Sequence, residues 1–208
     1  MVAQVLGAGG IMVLSVFLAL RCLMILDKDH GLSFSAGTLR MLCLGSLIAA
    51  AIWYQSTVEM EMGARLAWLV IHIFFLCCGV TDHQTCQVYD IFQYPGILLS
   101  AYLLWNSPHH LWVGVSLILF ALLQYFVFMR MYGKGDGMVL LTAAVAEASL
   151  GYDISVYLLH MIVAYLLLGL VQGIKGNIGR KGKLARPVAF VPYIVVGFWI
   201  IVEILTIL

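Results

Sequence analysis

Long apolar runs, broken only by short charged or glycine-bearing segments, restrict this chain more than any other feature. They fall near 2–26, 39–55, 66–81, 93–106, 111–132, 137–150, 154–174 and 188–208. A helix that crosses a bilayer takes about 20 apolar residues, within a range near 17–25. Closed β-barrels are the other structure that satisfies every backbone group in lipid, and these runs are too long and continuous for period-two strands. The reading is an all-α polytopic integral membrane protein with about eight transmembrane helices, the third, fourth and sixth of them short. One membrane-embedded domain then covers residues 1–208. Composition agrees, at 63% hydrophobic and 10% charged, where soluble domains run near 45–50% and about 25%.

The eleven Lys and Arg residues give an orientation. Arg21, Lys28 and Arg40 flank the first break, Arg130 and Lys134 flank the fifth, and Lys175, Arg180, Lys181, Lys183 and Arg186 crowd the last. With those three breaks in the cytoplasm, only Arg65 lies outside, as the positive-inside rule expects. Trp53, Trp68, Trp105 and Trp112 then fall toward the outer interface as an aromatic belt. Residues 2–26 lack a basic n-region and a small-residue cleavage site, so they read as a retained helix rather than a signal peptide. Cys22, Cys43, Cys77, Cys78 and Cys86 form no Cys-x-x-Cys pair, so neither zinc nor a disulfide framework is expected. The glycine-rich basic stretch 173–182 lacks phosphate-loop spacing. Lipids and a membrane substrate are the expected partners, with no nucleic acid, metal or cofactor.

Within this frame Asp82 and Asp136 stand out. Each lies just past an apolar run, and on the topology above both emerge on the cytoplasmic side. Ionisable residues at the edge of a bilayer are functional candidates by default. Two neighbouring carboxylates cannot both ionise freely, so they hold one proton between them. The ionised member can deprotonate water while the protonated one polarises an amide carbonyl, which is aspartic-protease chemistry. Gly133, Gly135 and Gly137 around Asp136 leave room for another helix to approach.

The pattern Asp82-x-x-Thr85-x-x-Val88-x-Asp90, followed by Gly133-Lys134-Gly135-Asp136, resembles the type IV prepilin peptidases. It is similar also to the wider group of membrane proteases with a Gly-x-Gly-Asp motif, the archaeal preflagellin peptidases among them. Lys183–Tyr193 looks like that family's basic loop running into Phe-x-Pro at the last helix, here Phe190-Val191-Pro192. The resemblance implies an aspartic endopeptidase of the plasma (inner) membrane. Such an enzyme cuts the basic leader from a prepilin or pseudopilin at the cytoplasmic face, before the substrate's hydrophobic helix. It implies Asp82 and Asp136 as the catalytic pair, with Gly133, Gly135, Thr85 and Asp90 as motif residues. Tyr89 stands where the family commonly has proline, and Met138 where a lysine commonly follows the motif. The 27–38 loop is too short for the cysteine-rich zinc segment of the bifunctional members, so peptidase without N-methyltransferase activity is expected.

Plainer roles compete at each position. Asp82 alone could cap a helix, and Asp136 alone could be an N-cap. Asp90 is expected to contact a basic leader or cap the fourth helix, and Lys134 to meet substrate or lipid headgroups. Asp27 and Asp29 are further acids that could draw the leader. Glu147 lies about 16 Å along a helix from Asp136, at roughly 1.5 Å per residue. It is expected to pair with His160 as a structural polar contact. His72 reads as a packing residue, His83 as a solvated one, and His109 and His110 as outer-loop residues. The rival class is a proton-coupled transporter or channel component, which would need carboxylates spread through the membrane depth. A signal-peptide-peptidase-like enzyme would place its first aspartate in a Tyr-Asp setting, whereas Asp82 follows Thr81.

Overall fold

The computed structural model describes residues 2–27, 31–107, 110–128, 133–175 and 188–207. Within them the chain forms eight α-helices: α1 (Val2–Leu26), α2 (Ala36–Thr57), α3 (Met62–Thr85), α4 (Asp90–Trp105), α5 (Leu111–Phe128), α6 (Lys134–Ser149), α7 (Ile154–Ile174) and α8 (Val191–Ile207). Four of them, α1, α2, α3 and α7, are long and apolar enough to cross a membrane. The protein is thus an all-α membrane protein.

Two helices organise the bundle. α3 packs against α1, α2, α4 and α8, and α6 packs against α4, α5 and α8. α6 is buried at Gly137 and at every residue from Val139 to Ser149. Ala143, Ala144, Ala146 and Ala148 allow that enclosure, because small side chains let helix backbones come close where lipid gives no hydrophobic drive. An aromatic layer joins α3 to α8, with Trp68 stacked on Phe198 and His72 stacked on Trp199. His72 is buried and its Nδ1 lies 2.9 Å from Trp68 O, the intrahelical packing role expected of it.

The two ends of the bundle are built differently. At one, Trp53 Nε1 donates to Arg65 O at 2.8 Å and the Arg65 guanidinium lies over the Trp53 ring. His110 Nδ1 lies 3.1 Å from Ser149 O at that same end. At the other, the α1–α2 connection folds onto the last turn of α3. Ser33 N donates to Gln84 Oε1 at 2.8 Å, and Gln84 Nε2 donates to Ser33 O at 3.2 Å and Thr38 Oγ1 at 2.9 Å.

Helix ends depart from the apolar runs for local reasons. α2 starts at Ala36 instead of 39, because Ser35 Oγ accepts the Thr38 amide as an N-cap. α3 covers 62–85 instead of 66–81 and is 24 residues long. Its polar last turn stays helical because Thr81 and Thr85 turn their hydroxyls back on Cys77 O and Thr81 O, at 2.9 and 2.8 Å. α4 begins at Asp90 rather than 93, α6 at Lys134 rather than 137, and α8 at Val191 rather than 188. Asp82 and Asp136 are therefore in the terminal turns of helices, not beyond them. Lys28, Asp29, His109, Arg130, Arg180, Lys181, Lys183 and Arg186 lie outside the described residues.

Candidate active site

α3 ends at Cys86, whose φ of +52° is left-handed and whose amide closes the helix onto Asp82 O at 2.8 Å. One turn earlier, the Asp82 side chain lies on the buried face of α3 and is only 4% exposed. The start of α8 meets it there. Val191 N donates to Asp82 Oδ2 at 2.9 Å, and the Phe190 amide also bonds that carboxyl. The Ala189 amide bonds the Cys86 thiol. Three consecutive amides thus converge on one turn of α3. The first N–H groups of a helix have no intrahelical partner, and Pro192 in the first turn has none to offer, so a carboxylate at this point satisfies orphan donors and meets the positive end of the helix dipole.

Asp136 reaches the same place from α6. It is the third residue of that helix, half-buried, and its Oδ2 accepts the Gly133 amide at 3.1 Å. Glycine at 135 and 137 is required by contact. A Cβ on Gly135 would stand 2.8 Å from Val88 Cβ and 3.3 Å from Gln93 Nε2, and one on Gly137 would stand 2.5 Å from the Tyr125 ring. The α6 N-terminus is therefore seated directly against the α3–α4 connection that follows Asp82.

Electrostatics tie the two acids together. Asp136 is among the charges that bear on the Asp82 carboxyl. Cys86 senses both: burial first, then the Asp82 and Asp136 carboxylates, push its thiol up. The structure therefore gathers Asp82, Asp136 and an exposed Cys86 at one end of the bundle, with the backbone amides of Phe190 and Val191 beside them.

The supporting residues divide. Gly133 and Gly135 shape the Asp136 turn as described. The Thr85 hydroxyl is taken up by Thr81 O within α3, and its methyl packs toward Gly31. Asp90 does not cap α4, because the N-cap is Tyr89. Asp90 is exposed in the first turn, where its charge complements the helix dipole. Lys134 opens α6 and is exposed. Met138 is half-buried against the core. Glu147 and His160 pair at 2.7 Å with both side chains fully buried.

Two contributors are not named by the motifs. Tyr89 bonds Asp27 at the end of α1, and burial, then that carboxylate, push its phenol up. The first helix thus braces the connection against which Gly135 packs. Gln93 is buried with an unpartnered Nε2 beside Gly135. A polar residue inside the apolar opening of α4 was the available signal for it. Among the described residues no three His, Cys, Asp or Glu side chains gather to hold a metal ion. Comparisons with protein-family models, with curated proteins and with solved structures each find no match.

Proposed function

We propose that this chain is a membrane aspartic endopeptidase that removes the basic leader of a prepilin or pseudopilin at the cytoplasmic face of the plasma membrane. All eight helices would span or nearly span the bilayer, with α4 and α6 short, and no N-methyltransferase activity would accompany cleavage. One observation carries the reading. Two acids from distant parts of the chain reach one end of the bundle, where Gly135 beside Asp136 packs on Val88 in the connection that follows Asp82. Their motifs add the second support, since their spacing resembles the prepilin peptidases.

In this reading the pair holds one proton and a water between its members. The ionised carboxylate takes the water's proton as it attacks the scissile carbonyl, and the protonated one donates to the developing oxyanion. The proton belongs to the pair rather than to either acid. Amides from Phe190 and Val191 fix Asp82 and the Gly133 amide fixes Asp136, so neither carboxylate is free to swing.

The proton-relay reading draws on Glu147 and His160, which are buried deep in the bundle. Between Asp136 and Glu147, however, α6 presents only Gly137, Met138, Val139, Leu140, Leu141, Thr142, Ala143, Ala144, Val145 and Ala146. α6 itself therefore carries no titratable side chain over the roughly 16 Å between them.

The decisive experiment is co-expression with a prepilin bearing a basic leader, reading the size shift on cleavage. Wild type is expected to cut, and Asp82→Asn and Asp136→Asn to fail separately. Cleavage at the wild-type rate by either variant removes that residue from the pair.

A further inference from the structure

An apolar groove runs along the outside of the bundle between α2 and α8. Its main hollow, about 940 Å³, is lined by Met41, Leu44, Ile48, Val196, Trp199 and Ile204, among others. A smaller hollow of about 140 Å³ shares Met41, Gly45, Val196 and Trp199 with it and continues to Gly79, Val80 and Pro192. The foot of the groove is therefore two residues from Asp82 and one from Val191, whose amide holds the Asp82 carboxyl. Among the described residues Glu203 is the only charged one in the lining, at the far end, and Gln55 turns its amide to it.

We propose that this groove is the docking track for the apolar transmembrane helix of the peptide substrate, an assignment that rests on the peptidase reading above. Two observations favour a helix over lipid chains. The groove ends at the candidate catalytic pair, where a scissile bond just before an apolar helix must lie. From Pro192 to Ile204 it extends about 18 Å at 1.5 Å per residue, enough for roughly 12 residues of helix. The substrate helix would run parallel to α8, its N-terminal end at Gly79 and Pro192.

Cysteine cross-linking tests the track. In an Asp136→Asn background with Cys22, Cys43 and Cys86 replaced by Ser, single cysteines are placed at Val196, Ile204 and, as a lipid-facing control, Leu119. The probe is a prepilin with a basic leader, a glycine and a 20-residue apolar helix carrying one cysteine at successive positions. Cross-links are expected from Val196 and Ile204 and not from Leu119. The best-linked substrate position should move outward by about eight residues from Val196 to Ile204, as parallel helices of equal rise require. A second variant with the pair intact, Ile48→Trp, should raise KM for the full prepilin by roughly tenfold while leaving a soluble peptide of leader and scissile bond unaffected, the mark of lost binding away from the chemistry. Cleavage by wild type with no groove cross-link, or with links only between two copies of the enzyme, overturns the track and leaves the peptidase standing. Neither cleavage nor cross-link overturns both.

Discussion

Asp82 and Glu147 are both buried acids on helices of the same bundle, yet the chain secures them in opposite ways. Asp82 takes its partners from backbone, the amides of Phe190 and Val191, and sits one turn from the exposed Cys86. Glu147 is fully enclosed and takes a side chain, His160 Nδ1, at 2.7 Å. His160 Nε2 faces the Ile194 carbonyl at 2.8 Å and must carry a hydrogen to bond it. This sealed pair fastens α6 to α7 and α8 without reaching water. Asp82, by contrast, is fixed by groups that cannot exchange protons, and a second acid stands nearby. The first arrangement joins helices, and the second holds a carboxylate at the end of the bundle on backbone amides alone.

The sharpest way to break this contrast is to neutralise each acid without removing its shape. Asp82→Asn and Asp136→Asn should each lower cleavage by about 10³-fold, within the range general acid–base groups contribute. Glu147→Gln should leave it within a few fold, because its amide can still donate to His160. Initial rates on one prepilin, with expression matched, check the ranking. If Glu147→Gln is as inactive as Asp82→Asn, the distinction between the two acids is wrong.

Truncation should reverse the order. Glu147→Ala leaves His160 buried with no acid and should destabilise the fold by about 3–5 kcal/mol, the usual consequence of removing one partner of a buried pair. Thermal unfolding in detergent reads this as a lowered Tm, while Asp136→Asn, at a half-buried helix start, should move Tm far less. An unchanged Tm for Glu147→Ala would mean that the pair does not hold the helices together.

These differences mark what the sequence can and cannot convey. The helices and their order were legible, because apolar runs must become helices in lipid. The depth of Glu147 and His160 was legible too, since rise per residue fixes it. Helix ends were not, because the threonines that extend α3 through residue 85 look like loop residues until their hydroxyls find the carbonyls four residues back. Least legible was the bond from Val191 to Asp82, which spans 109 residues. Its local trace was Pro192, which marks where α8 begins and where amides go unpartnered. The bond from Tyr89 to Asp27 left no trace, since nothing in either segment specifies that α1 ends beside α4. Asp82 and Asp136 could be singled out from their motifs. What holds them could not.

The glycine at 135 gives a smaller effect. Gly135→Ala would drive a methyl to within 2.8 Å of Val88 Cβ, so the α3–α4 connection must shift. Overpacking of this kind costs about 1–3 kcal/mol. Val88→Gly in the same chain removes the atom it strikes, so the double variant should recover activity that the single one loses. Failure of that rescue would show that Gly135 serves something other than the close approach.

The smallest effect reads the charge on the two acids directly. Burial first, then the Asp82 and Asp136 carboxylates, push the Cys86 thiol up, so at fixed pH it holds less thiolate than a free cysteine. A pair that holds one proton carries one negative charge, so a single Asn substitution leaves that charge on the other acid. Only the double variant Asp82→Asn/Asp136→Asn removes it, lowers the thiol's pKa and raises the thiolate fraction. Alkylation of Cys86 at pH 7.5, with Cys22 and Cys43 changed to Ser, should therefore quicken by roughly two- to fivefold in the double variant and change little in either single one, a modest effect because an exposed thiol is well screened. The gain should shrink as pH rises through the thiol's own titration, where thiolate is abundant with or without the acids. Glu147→Gln removes an acid that does not bear on Cys86, and should leave the rate alone. An unchanged rate in the double variant would place the two carboxylates too far from Cys86 to act on it, and a rise in either single variant would show that the pair does not hold one proton between its members.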